Sequence, residues 1–367
     1  MNYLKSPFSF KIHSSKIGVL LLAAGLGFYL ASCHTGNKKS TQNVVTGDSA
    51  SSHIDTITSK INYYSGLIAS NPNNADAYWN RGKLQMLNKS NVLAAADFMK
   101  AVRLDSTKSD YFFSLATANF ATGHTHEAKD AFEASIRLNP KNTEAILKLA
   151  ELFYFVKMYP EALEQVDNAI KINPYLAREY FLKGMIFTDK HDTARAISSM
   201  QTAVDQDPNY FLAYIQLGII FASKNNPIAL TYFDDAIRVQ PQNAEPYYDK
   251  GMFYQFHGDY DNAIASYLQI SKLDSLSARP DTLYKHAYYN LGDIYFENKD
   301  DVNKSLEYFN RAVKSDTGYY MGYFGRANCY EKLHQIDKAL ADYAHTYRIN
   351  PRFKPAAESY RRLKNKN

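Results

Sequence analysis

One pattern of apolar and polar positions returns along the chain about every 34 residues. Prolines at Pro140, Pro174, Pro208 and Pro241 lie 34, 34 and 33 residues apart, each after an amphipathic run. Registered on them, eight segments carry a bulky residue at their fourth position: Tyr78, Phe112, Ile146, Tyr180, Tyr214, Tyr247, Tyr288 and Tyr323. Four residues on, each has Gly or Ala: Gly82, Ala116, Ala150, Gly184, Gly218, Gly251, Gly292 and Ala327. A second small column (Ala94, Ala128, Ala162, Ala196, Ala229, Ala263, Ser305, Ala339) is followed four later by a bulky one (Phe98, Phe132, Val166, Met200, Phe233, Tyr267, Phe309, Tyr343). Spacings of three and four put a set of side chains on one helix face. Each segment therefore predicts two antiparallel helices, the small residues permitting close approach and the bulky ones filling the gap. Gly123 and Gly258 fall in the turn between the paired helices in two segments, where a left-handed backbone suits glycine. Asn-Pro, Asp-Pro or Gln-Pro ends five segments, because proline disfavours helix in the residue before it.

A fixed period of this size marks a stack of helix pairs. The columns resemble the tetratricopeptide repeat, as eight units over residues 75–351. The resemblance implies an all-α, right-handed superhelical solenoid. Flanking segments fit ends that cover the array: a capping helix over 54–71, and a closing helix and tail over 352–367 with Ala356 to Leu363 as its helical part. Two departures stand out. Gln85 and Asn119 occupy a column that is elsewhere Phe or Tyr, and Leu276 to Thr282 (LSARPDT) inserts seven residues between the sixth and seventh units.

The N-terminus follows another logic. Residues 1–32 hold Lys5, Lys11 and Lys16, no acid, and the apolar run Ile17 to Tyr29, and then reach Cys33. Basic leader, short apolar run and small residues form an export signal. The run is 13 residues long, short for a span that needs about 20. Leu30-Ala31-Ser32-Cys33 resembles the bacterial lipobox, which implies cleavage before Cys33 and diacylglycerol on its sulfur. More than one acyl chain turns marginal membrane binding into stable anchoring. His34 stands where aspartate would, in some bacteria, retain a lipoprotein in the inner membrane, so the outer membrane is favoured where the host has one. Residues 33–53, rich in Ser, Thr, Asn and Gly, read as a flexible tether.

Charge and composition then exclude more than they add. The formal charge of +5 falls to 39 bases against 37 acids once the leader's three lysines are removed, which takes away the charge argument for nucleic acid. Two cysteines cannot build a disulfide framework. No phosphate loop, HExxH or G-x-S-x-G motif occurs in the mature chain, so no enzyme, cofactor or metal is read. His124-Thr125-His126-Glu127 reads as a solvated turn, and Cys329 as a buried structural thiol.

By the family resemblance, first helices line a concave side, with ligand-facing residues at the second, fifth, ninth, twelfth and thirteenth positions. The fifth column is Trp79, Phe113, Leu147, Phe181, Ile215, Tyr248, Tyr289 and Phe324. Phe120, Tyr154, Phe296 and Met86 extend that face, ringed by carboxylates that include Asp76, Glu144, Glu151, Glu245 and Asp293. Such a groove suits an extended or helical segment of another protein. Aromatic residues there also pack against neighbouring units, and that alternative stays open for each. The chaperone-tail clamp, which needs Lys, Arg and Asn on this face, is absent. The asparagine ladder of sugar-transferring repeat enzymes is reduced to Asn80 and Asn290. The expected function is a lipid-anchored adaptor for partner proteins in envelope assembly or secretion. The competing class is glycan capture in nutrient uptake, whose lipoproteins carry long insertions where this chain has only LSARPDT.

Overall fold

The structure, a computed structural model, describes residues 49–276 and 282–365. The leader, Cys33 and most of the segment read as a tether lie outside the described residues, as does the middle of the LSARPDT insertion. Eighteen helices and no strands occur among the described residues. Helix α1 (Ser49–Ser70) precedes eight pairs: α2 (Ala75–Leu87) with α3 (Asn91–Leu104), α4 (Ser109–Ala121) with α5 (Thr125–Leu138), α6 (Thr143–Phe155) with α7 (Tyr159–Ile172), and α8 (Ala177–Asp189) with α9 (Thr193–Gln206). The series continues as α10 (Phe211–Ser223) with α11 (Ile228–Val239), α12 (Glu245–Phe256) with α13 (Tyr260–Leu276), α14 (Thr282–Glu297) with α15 (Val302–Ser315), and α16 (Tyr320–Lys332) with α17 (Ile336–Ile349). Helix α18 (Lys354–Lys364) closes the chain. No helix among the described residues is long and apolar enough to cross a membrane.

The chain falls into two compact units, divided after Asp207. The N-terminal unit holds α1 and four pairs, the C-terminal unit four pairs and α18.

Helix α1 begins at Ser49, five residues earlier than the capping helix expected from 54, because no Gly or Pro stands between Gly47 and Ile54 to stop it. Helix α18 buries Ala356 and Leu363 in the cluster that contains Tyr343 and Phe324. Around the insertion the neighbouring helices lengthen. Helix α13 has 17 residues where other second helices have 12 to 14, and α14 has 16 against 12 or 13.

Close approach within each pair is set by the small column. A Cβ placed on Gly82 would lie 2.6 Å from Phe98 Cε1, and one on Gly218 would lie 2.4 Å from Phe233 Cε1. Rings and glycines thus interlock at a distance no alanine matches without repacking. Phe98, Phe132 and Phe233 are almost wholly buried, each contributing roughly 1.5–3 kcal/mol of apolar burial. The two polar residues in the ring column weaken this core locally: Gln85 and Asn119 are buried there, and Gln85 Oε1 has no hydrogen-bond partner.

Caps and turns fix the helix ends. Asn74, Asn142, Asp192 and Asp301 accept at their side chains from the backbone N–H three residues on. The turns inside pairs all use a left-handed residue, but glycine supplies only Gly123 and Gly258. Lys89, Lys157, His191, Asn225, Asp300 and His334 take the same conformation at φ between 51° and 62°. The backbone path is thus imposed by helix packing even where the residue disfavours it. Within pairs, bidentate bonds from Arg81 to Asp97 (2.7 and 2.7 Å) and from Arg326 to Asp342 (2.6 and 2.9 Å) span the same 16-residue interval.

Candidate partner-binding face

In each unit a first helix approaches the next first helix, α2 to α4 to α6 to α8 and α10 to α12 to α14 to α16, while second helices make no comparable approach to one another. The first helices therefore form the inner side of the stack in each unit, and the fifth-position column lies on them.

The rings on this face differ in access. Trp79, Phe113, Phe120 and Tyr154 are half-buried in the N-terminal unit, as are Tyr248, Tyr289 and Phe296 in the C-terminal unit. Phe181 and Phe324 are not available: they are 3% and 6% exposed. Phe324 stacks edge-on against Phe353, with centroids 5.0 Å apart, and tilts against Tyr343 at 5.7 Å. These two of the nine expected contact rings belong to the core, because α18 and its lead-in cover one and the tight α8 packing encloses the other. Leu147 and Ile215, in the same column, are buried as well.

The accessible rings are held by their neighbours. Trp79 Nε1 donates to Ser114 Oγ at 2.8 Å, and Lys83 Nζ sits 3.5 Å from the Trp79 ring centroid. Tyr289 lies 5.9 Å from Tyr319, and Tyr248 lies 5.9 Å from Tyr267. The Tyr267 hydroxyl donates to Gln255 Oε1 and accepts from Asn290 Nδ2, at 2.9 and 3.0 Å.

Charge separates the units. In the N-terminal unit the inner carboxylates are matched: Arg178 donates to Glu144 and to Glu151, Lys148 pairs with Glu151 at 2.8 Å, and Asp76 accepts from Tyr111 at 2.6 Å. Glu179 is the exception. It stands in a buried column otherwise filled by residues such as Ala77, Ala145, Ala213 and Ala287, and burial pushes its carboxyl up to about 7. In the C-terminal unit Asp249 and Asp293 make no ion pair. Burial, then the nearby Glu245, raises Asp249 well above the carboxylate range, and Asp249 Oδ2 is sealed from solvent without a hydrogen bond. Burial, then Glu297, raises Asp293 to about 6.

Asp249 and Tyr319 were not among the residues expected on this face. Asp249 sits at the sixth position, one place outside the ligand-facing set, and Tyr319 ends the turn before α16. The one available signal is that Asp249 puts a carboxylate in a column whose other members are uncharged or basic.

The remaining chemistry is quiet. Cys329 is fully buried beside Ser305 Oγ at 3.2 Å, and burial pushes its thiol up to about 11, the opposite of what an attacking thiolate needs. His126 and Glu127 lie in the first turn of α5, not in the preceding loop, and His126 faces Asp130 at 3.4 Å. Among the described residues no group of three His, Cys, Asp or Glu is placed to hold a metal.

Comparisons with known proteins agree with this architecture. Family models of the tetratricopeptide repeat match residues 61–109, 113–179, 232–265 and 285–319, together half of the chain. The C-terminal part of a TPR repeat-containing protein from Cytophaga hutchinsonii superposes with a TM-score of 0.56 at 20% identity, covering 67% of this chain and 98% of that one. YrrB, described as a TPR protein with an unusual peptide-binding site, is 25% identical with a TM-score of 0.40, over 50% of this chain and 95% of its own. Over 81 residues the chain is 28% identical to a UDP-N-acetylglucosamine–peptide N-acetylglucosaminyltransferase of Giardia intestinalis, a match that takes in 22% of this chain and only 5% of the enzyme's length. Eight helix pairs, the interlocked small and bulky columns and the family-model matches place the chain in the tetratricopeptide-repeat family.

Proposed function

We propose that the chain is a lipid-anchored adaptor that holds segments of partner proteins on the inner faces of its helix pairs, in envelope assembly or secretion. The observation that carries this reading is the set of half-buried, pre-positioned rings Trp79, Phe113, Phe120, Tyr154, Tyr248, Tyr289 and Phe296. Rings with restricted rotation and partial exposure offer contact area at small entropic cost. The anchor rests on the sequence: Leu30-Ala31-Ser32-Cys33 follows a basic and then apolar leader, and lipid on Cys33 would keep the repeats at a membrane, the outer one where the host has one. The near-neutral mature charge directs the array to protein rather than nucleic acid.

Two measurements in cells test the two halves. Cys33→Ser is expected to move the protein from the membrane to the soluble fraction, and unchanged fractionation overturns the anchor. A photo-crosslinking residue at Phe120 or Tyr289 is expected to capture a defined partner that the same residue at Met99, exposed on a second helix, does not. Identical capture from both faces overturns the inner-face reading.

A further inference from the structure

We propose that the inner face of α12 and α14 carries an acidic, tyrosine-lined site for one cationic side chain, a lysine or arginine, of a partner polypeptide. The inference rests on the reading of the inner faces as polypeptide-binding, and it names what one of them selects.

Asp249 Oδ2 is closed to solvent and accepts no hydrogen bond, while the residue keeps part of its surface exposed. A carboxylate oxygen in that state is unfavourable until a donor reaches it. Asp293, on the adjacent first helix, likewise makes no ion pair, and the charges that bear on the two are further acids, Glu245 and Glu297. Tyr248, next to Asp249, packs 5.9 Å from Tyr267, and Asn290, one turn before Asp293, donates to the Tyr267 hydroxyl at 3.0 Å, so the two acids flank one neighbourhood. That phenol cannot serve either of them, because its proton is committed to Gln255. Tyr248, Tyr289 and Tyr319 supply the walls: Tyr289 and Tyr319 pack edge to face at 5.9 Å, and the His286 ring lies edge-on to Tyr248 and Tyr319 at 6.5 and 5.2 Å. An alkyl stem fits against such rings, and a cationic head meets both ring faces and carboxylates.

The molecule itself shows what satisfies this arrangement. In the N-terminal unit the inner acids Glu144 and Glu151 receive Arg178 from the next first helix. Among the described residues of the C-terminal unit no base pairs with either acid: Lys285 is held by Asp316 at 2.6 Å, and His286 packs against Tyr248 and Tyr319 with burial lowering its imidazole. The partner would bring the cation that Arg178 provides internally elsewhere.

The test is selection of a displayed library of random dodecapeptides on the purified mature chain. Enriched peptides are expected to share a Lys or Arg at one register. Replacing that base by Gln is expected to weaken binding at least about tenfold, and so is the variant Asp249→Asn with Asp293→Asn. The two changes together are expected to weaken binding no further than either alone. The control Glu127→Gln with Glu164→Gln, exposed acids on second helices, is expected to leave binding unchanged. Enriched peptides with no shared base, an undiminished affinity in the Asp variant, or an equal loss in the control each overturn the pocket and leave the inner-face reading standing. A selection that enriches nothing overturns both. Asp293→Asn alone, expected to give a smaller loss in the same order, keeps the test decisive should the double variant not fold.

Discussion

The two units share one construction and differ in how they treat charge on the inner face. Both interlock a small column with a bulky one, and both brace a pair with an arginine reaching an aspartate 16 residues away. In the N-terminal unit the inner acids are answered by Arg178 and Lys148, whereas in the C-terminal unit Asp249 and Asp293 stand among tyrosines and pair with no base among the described residues. A repeat fold can therefore be stabilised by its shared columns while residues between those columns set each unit's affinity.

The strongest way to break the comparison is to remove the brace both units share. Arg81→Met and Arg326→Met each leave an inward-facing aspartate, Asp97 or Asp342, unpaired, and each is expected to destabilise by about 3 kcal/mol. Since contacts in a stack are between neighbours, hydrogen exchange is expected to accelerate around α2 and α3 in the first variant and around α16 and α17 in the second. Exchange that rises equally everywhere would show a single cooperative body instead.

A middle-sized effect sharpens the difference in charge. Glu179 and Asp293 both have folded values raised above their unfolded ones, to about 7 and about 6. The stability each contributes is complete below its unfolded value and is lost as pH rises through the folded one. Glu179→Gln is expected to be near neutral at pH 4 and stabilising by roughly 2–3 kcal/mol at pH 8. For Asp293→Asn the gain is expected to be complete by about pH 7 and nearer 1 kcal/mol. Urea unfolding at several pH values reads both, and a gain at pH 4 would contradict the burial account.

The smallest effect lies in the turns. Lys157→Gly relieves a left-handed lysine at φ 62° and is expected to stabilise by roughly 0.5–1 kcal/mol. Asn225→Gly, at φ 54°, is expected to gain only a few tenths, because asparagine tolerates that region. Paired thermal melts distinguish them.

These contrasts mark what could be read in the chain beforehand. The eight pairs were legible because the same columns recur in every unit, so errors at one position are corrected by seven others. The site was legible only in outline. A fifth-position ring can face a partner or the next pair, and Phe181 and Phe324 went inward for reasons of neighbouring packing that one column does not encode. Asp249 was hidden because its importance lies in what fails to contact it, and absent partners leave no trace in a pattern of residue types. The six non-glycine turns were equally hidden: lysine and histidine give no local sign of a left-handed backbone, which the packed helices on either side impose.

The interlock of glycine and ring carries a further consequence. Gly82 meets Phe98, Gly184 meets Met200 and Gly251 meets Tyr267, each within its own pair, so lock and key are written on the same short stretch of chain. Copying or losing a whole repeat keeps every lock beside its key, whereas a deletion of a single residue between them turns the key away from its lock. A chain built this way can change length in whole units over its history, and its inner face can be lengthened or shortened without being redesigned.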